Sequence, residues 1–100
     1  MKNQIRIEIK LVGFPMIYDI FGEGFNTYAS SNNTLSELIE DLIERYGERF
    51  SESLKDQRTK TLDPSIQIII NGKYIPREDF AQQRIEEDDK VIFLRLLAGG

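Results

Sequence analysis

Ile5, Ile7, Ile9 and Leu11 alternate with Arg6, Glu8 and Lys10 near the start of the chain. A period of two puts successive side chains on opposite faces, so this segment predicts a strand with one buried side. Gly13 and Pro15 break the run. Phe14 to Phe21 is apolar without a clear period and suggests a turn of helix, closed by Gly22-Glu23-Gly24. Phe25 to Ala29 reads as a weaker second strand, in which Thr27 and Tyr28 supply the β-propensity. Ser30 to Asn33 is a polar connection.

The period then changes. Leu35, Leu38, Ile39, Leu42, Ile43 and Tyr46 fall on one stripe of a helix. Thr34 and Glu37 have the spacing of a capping box, in which hydroxyl and carboxylate satisfy unpaired amides at the helix start. Gly47 is placed to end the helix. Glu37, Glu40, Asp41 and Glu44 line its outside and read as a solvated face. Glu48 to Asp63 is polar, with Phe50 and Leu54 as anchors, and some helical turn is expected there because long structureless loops are unusual in small domains.

After Pro64, Ile66, Ile68 and Ile70 predict a third strand, and Asn71-Gly72 is a strong hairpin signal. Lys73, Tyr74 and Ile75 form the short return. Pro76 to Arg84 connects onward and holds Phe80. Glu86-Glu87-Asp88-Asp89 precedes the last strand, Val91 to Leu96. The expected core gathers Ile5, Ile7, Ile9, Leu11, the helix stripe, Ile68, Ile70, Val91 and Phe93. Strand parity then sends Ile92 and Leu94 to the opposite face.

Composition narrows the function more than the fold. The 100 residues fit one domain, residues 1–100, with no repeat or linker. Hydrophobic residues at 40% and charged residues at 30% suit a folded chain rather than a disordered one. A net charge of −4 argues against neutralising nucleic-acid phosphates. No stretch is long and apolar enough to span a membrane, and the N-terminus has no apolar signal segment, so a cytoplasmic protein is expected. There is no cysteine and no histidine. Their absence excludes disulfides, thiolate nucleophiles and cysteine zinc sites, and removes the commonest general base. Independent catalysis becomes the least favoured class, and no metal site is expected.

Three motifs carry no chemistry. Gly22-Glu23-Gly24 lacks the strand and helix that a phosphate-binding loop needs on either side. The Glu86–Asp89 run lacks the spaced ligands of a calcium loop. Asn32-Asn33-Thr34 fits a glycosylation triplet, but Thr34 already serves as a helix cap.

The sequence finishes on Leu96-Leu97-Ala98-Gly99-Gly100. Two glycines make the thinnest thread a chain can offer, because neither carries a Cβ. Such a thread suits a narrow catalytic channel on another protein, with the tail from about residue 97 expected to be flexible. The leucines before it argue against a tail that is merely solvated.

The element order is strand, strand, long helix, strand, short return, strand, Gly-Gly. It resembles the β-grasp fold of ubiquitin and, more closely, the sulfur-carrier family that includes ThiS and the molybdopterin-synthase small subunit MoaD. The resemblance rests on Ile70-Asn71-Gly72-Lys73, on Glu87-Asp88-Asp89-Lys90 before Val91, and on Ala98-Gly99-Gly100. It implies an α+β fold in which one main helix crosses a mixed sheet, with first and last strands side by side at the centre. Two departures stand out. Arg95 and Leu96 occupy the place where molybdopterin-synthase subunits tend to carry prolines, and the segment Glu48 to Ser65 is longer than usual.

The resemblance also implies a chemical cycle centred on Gly100. An ATP-dependent activating enzyme (an adenylyltransferase using magnesium) converts the Gly100 carboxylate to an acyl-adenylate. Sulfur then displaces AMP to leave a thiocarboxylate, which passes sulfur to an acceptor held by a synthase subunit. The acceptor is a molybdopterin precursor, with a thiazole precursor or another as alternatives. Gly99 and Ala98 give the tail access. Ile92, Leu94, Leu96 and Leu97 dock into an apolar groove of the activating enzyme, with acidic side chains at the rim. The carrier itself binds no cofactor. Two other classes stay open: a ubiquitin-like modifier joined to lysines through Gly100, and a non-catalytic β-grasp interaction domain.

Overall fold

A computed structural model describes residues 4–17, 19, 22, 24–31, 33–56 and 62–95. Strand β1 spans Ile5–Val12 and is followed by a short 3-10 turn, Pro15–Ile17. Strand β2 is Asn26–Ser30, helix α1 is Leu35–Tyr46 and helix α2 is Glu48–Leu54. Strands β3, Ile66–Ile70, and β4, Lys73–Ile75, form the hairpin; a second 3-10 turn, Arg77–Asp79, leads toward β5, Lys90–Arg95. The five strands pair in the order β2-β1-β5-β3-β4. β1 and β5 run parallel at the centre, and every other pairing is antiparallel. This is the β-grasp, ubiquitin-like fold, a mixed sheet with a helix across one face.

Local chemistry accounts for the element ends. The Thr34 hydroxyl accepts from the Glu37 amide at 3.3 Å, while the Glu37 carboxylate accepts from the Thr34 amide at 3.1 Å. Both halves of the capping box are therefore made. Gly47 takes a φ of 81°, which turns the chain from α1 into α2. At the hairpin, Asn71 and Gly72 have φ of 52° and 82°, the paired left-handed residues that a tight two-residue turn requires.

Alternation sets the core. Ile7, Ile9, Leu11, Val91, Phe93, Ile66, Ile68 and Ile70 are buried on one side of the sheet, with Leu35, Leu38, Ile39 and Leu42 of α1 packed against them. The predicted anchors Phe50 and Leu54 are fully buried in the same cluster. The helical turn expected in that segment is α2, and it joins the covered side of the sheet. Three residues of the expected core are only half-buried and pack against its edge: Ile5, which begins β1 at the sheet margin opposite Ser30, and Ile43 and Tyr46 in the second half of α1. Phe14, Ile17, Tyr28, Ile75, Phe80 and Ile85 complete the core. Strand bounds differ from expectation by about one residue: the second strand runs to Ser30, and the last starts at Lys90 and ends at Arg95.

Candidate functional site

β5 lies at the middle of the sheet and leads directly to the tail. Its entry is fixed by the acidic turn. Asp89 accepts from the Glu86 amide and from the Asn71 side-chain amide, each at 2.8 Å, and the Asn71 side-chain oxygen accepts from the Lys90 amide at 2.9 Å. Glu87 accepts from the Arg6 amide at 2.9 Å. These two carboxylates join the turn to the start of β1 and to the β3–β4 hairpin. Among the described residues no cluster of acidic side chains is arranged to hold a metal ion.

Along β5 the two sides diverge. Val91 and Phe93 are fully buried, whereas Ile92 and Leu94 are half-buried and lie outside the core cluster. Register explains their surroundings. Lys10, Ile92, Ile69 and Tyr74 form one row across four strands, and Val12, Leu94 and Gln67 form the next. Among the described residues, Val12 at 36%, Phe25 at 39% and Tyr74 at 51% exposure are the large hydrophobic side chains that water reaches most. Among the described residues both helices bury their apolar residues in the cluster containing Val91 and Phe93, and neither covers this second face.

Parity located Ile92 and Leu94 on that face, but the patch is shared with Val12, Ile69 and Tyr74, which sequence reasoning missed. Outward parity of β1 and β3 was available; which outward residues become neighbours depended on cross-strand register. Charges beside the patch are Lys10 and Lys90, whose ammonium groups stand 5.5 Å and 5.7 Å from the Phe25 ring centroid, and Glu8, which is 4.0 Å from Lys90. Much of the carboxylate run sits on α1, behind the covered side.

That run is not purely solvated either. The Tyr28 hydroxyl donates to Asp41, and the Arg45 guanidinium lies 4.7 Å from the Tyr28 ring centroid and 3.8 Å from Asp41. Burial, and then the bond to Asp41, push the Tyr28 hydroxyl above its ordinary pKa. This cluster ties the edge strand β2 to α1.

The predicted reactive and tail residues, Gly100, Gly99, Ala98, Leu97 and Leu96, lie outside the described residues. What the structure describes is the base from which they depart, Arg95. Among the described residues no helix is long and apolar enough to cross a membrane.

Comparison with known proteins agrees with this architecture. The chain is similar to the HVO 2177 protein of Haloferax volcanii, with a TM-score of 0.73 at 15% identity, covering 100% of this chain and 91% of that one. It is similar to small archaeal modifier protein 1 of Methanosarcina acetivorans, with a TM-score of 0.72 at 16% identity, covering 98% and 99%. Urm1 of Trypanosoma brucei matches with a TM-score of 0.64 at 22% identity, covering 100% of both chains. No curated protein matches the sequence. A profile of the ThiS family matches residues 17–100. The chain therefore belongs to the ThiS family of ubiquitin-like carriers, small proteins that are acted on by an E1-like activating enzyme rather than being catalysts themselves.

Proposed function

We propose that this protein is a sulfur carrier whose reactive group is the Gly100 carboxylate. The observation that carries this is the ThiS-family match extending through Gly100, a few residues after the central strand β5. A carboxylate is a poor electrophile, because resonance and negative charge mask its carbon. In the proposed cycle a carboxylate oxygen attacks the α-phosphorus of magnesium-bound ATP on the activating enzyme, and pyrophosphate leaves. Hydrosulfide, or an equivalent sulfur donor, then forms a C–S bond as the C–O bond to AMP breaks, leaving a thiocarboxylate. No side-chain nucleophile on the carrier is needed, which accords with a sequence lacking cysteine and histidine.

Ile92 and Leu94 supply the docking face, and Leu96 and Leu97 are proposed to enter the same apolar groove of the activating enzyme. Val12, Ile69 and Tyr74 widen it beside Lys10 and Lys90, so the matching groove is apolar with carboxylates opposite the two lysines. Gly99 and Ala98 keep the thread thin enough to reach the nucleotide.

For the acceptor, a cofactor precursor held by a synthase subunit, molybdopterin first, is the proposal that follows from the Ala98-Gly99-Gly100 ending. A second acceptor is favoured by a specific observation: similar folds include proteins named small archaeal modifier protein 1 and Urm1. Under that reading the same adenylate leads to an amide with a target lysine.

Incubation with a matching activating enzyme, ATP and a sulfur donor should exchange one carboxyl oxygen for sulfur in the intact mass. Gly99→Val should abolish the exchange while leaving the melt unchanged, because it thickens only the thread. An unmodified wild-type mass with a competent enzyme would sink the carrier role. Gly100 recovered on lysine in cellular digests would select the modifier.

A further inference from the structure

Val91, Phe93 and Arg95 share the inner side of β5. The first two are fully buried and apolar; the third is an arginine with 26% of its side chain exposed. Its guanidinium donates to the Ser53 carbonyl in the last turn of α2, lies 3.9 Å from Asp63, and stands 5.1 Å from the Phe14 ring centroid. Its Nε is buried without a hydrogen-bond partner among the described residues. An unmet buried donor costs stability, so an apolar residue would close this row at less expense. The polar contacts of Arg95, rather than core filling, are what set this side chain apart from Val91 and Phe93.

Its partners are themselves held in place. Asp63 accepts from the Ser65 amide and hydroxyl, each at 2.8 Å, and those bonds hold its carboxyl below the usual carboxylate range. Arg77 donates to the carbonyls of Leu62 at 2.8 Å and Asp63 at 3.0 Å. On the other flank, Gly13 has a φ of +88°, and a Cβ there would sit 2.8 Å from the Arg95 carbonyl oxygen. The end of β1 is therefore pressed against the Arg95 backbone, while Ile66 of β3 pairs with it from the opposite side. The last rung of β5 is gripped by both neighbouring strands, by α2 and by the Phe14 ring.

Leu96 to Gly100 follow this grip, and five residues can span at most about 17 Å. We infer that Arg95 is a positioning residue: its clamp on Ser53, Asp63 and Phe14 fixes where the tail leaves the fold. It thereby holds Gly100 at the right reach from the docked sheet face. This inference rests on the carrier role. Without the clamp the Ile66–Arg95 rung frays, the thread lengthens, and the carboxylate spreads through a larger volume. Its effective concentration at the activating centre then falls, while docking through the sheet face persists.

The experiment uses the full chain with Arg95→Met, which keeps the stem over Phe14, and Arg95→Lys, which keeps the charge without the planar fork. In the free protein, hydrogen exchange at the Leu94 and Arg95 amides should quicken about tenfold in both variants, with the Ile68 amide unchanged. In ATP–pyrophosphate exchange with a matching activating enzyme, kcat should fall about tenfold while the KM for the carrier stays within about twofold. Rescue by lysine would reduce the clamp to simple charge and overturn it, as would unchanged kcat or unchanged exchange at the strand end. Should Arg95→Met fail to fold, Arg95→Lys decides alone. A wild-type protein that supports no pyrophosphate exchange would sink the carrier role instead, and amide exchange would still decide whether Arg95 holds the end of β5.

Discussion

Phe93 and Leu94 are neighbours on the central strand and face different surroundings. Phe93 is fully buried beneath the helices, in a row with Leu11 and Ile68. Leu94 points the other way, between Val12 and Gln67, and is half-buried. Both faces are rich in branched apolar side chains, but among the described residues only one has a helix layer over it. Packing explains the apolar residues of the covered face. It does not explain Val12, Ile69, Ile92, Leu94 and Tyr74, which a water-facing sheet has no need to keep. An exposed apolar patch bordered by lysines is what the proposed docking to a partner requires.

The difference predicts opposite mutational signatures, and the covered face should give the largest stability loss. Phe93→Ala empties a fully enclosed site at the centre of the sheet. Large-to-small changes of this kind cost about 3–5 kcal/mol, because transfer and cavity terms add. A denaturant melt should show the midpoint falling with an unchanged slope, while the fraction that remains folded still binds the activating enzyme normally. A cost under about 1 kcal/mol would mean that the site collapses freely and is not the packed centre described.

A smaller effect is expected where the covered side meets its polar seam, at Tyr28 and Asp41. Burial and the Asp41 bond raise the Tyr28 hydroxyl, so the folded state holds its proton to higher pH than the unfolded chain does. The stability this contributes is fully present below the ordinary tyrosine range of about pH 10, and it erodes as pH rises through and above that range. Tyr28→Phe should lower stability at neutral pH by about 0.5–1.5 kcal/mol through loss of the bond. It should also flatten the alkaline decline in a series of melts. An alkaline decline as steep in Tyr28→Phe as in wild type would assign the effect to other groups.

Legibility in the sequence followed the range of the interaction. The capping box at Thr34 and Glu37 and the Asn71-Gly72 turn were readable because each joins residues at most three apart, and the parity of β5 was readable for the same reason. Asp41 was read as solvated because its partner, Tyr28, belongs to a different element and is brought close only by packing. Arg95 appeared only as a departure from a familiar ending, since nothing local shows that its side chain turns inward to Ser53, 42 positions away. The strand order came from family resemblance, because pairing β1 with β5 joins the two ends of the chain. The candidate site divides in the same way. Ile92 and Leu94 were legible by alternation, whereas Lys10, Ile69 and Tyr74 joined them only through register.

The smallest stability effect is expected at Leu94, and it separates the two faces most sharply. Leu94→Glu places a carboxylate on the open face, beside Val12 and Gln67, where water remains available to it. Surface substitutions outside packed or strained sites shift stability by about 0.5 kcal/mol or less, so the melt should barely move. Binding to the activating enzyme should nevertheless weaken by about 2 kcal/mol or more, as expected for a charge driven into the apolar centre of an interface. Reversing a nearby charge with Lys10→Glu should weaken binding less and mainly slow association, since rim charges act on encounter. A large loss of stability in Leu94→Glu, with intact binding by the molecules still folded, would place Leu94 in the core and abolish the distinction between the faces. An unchanged melt with unchanged binding would leave the distinction standing and move the docking surface elsewhere on the molecule.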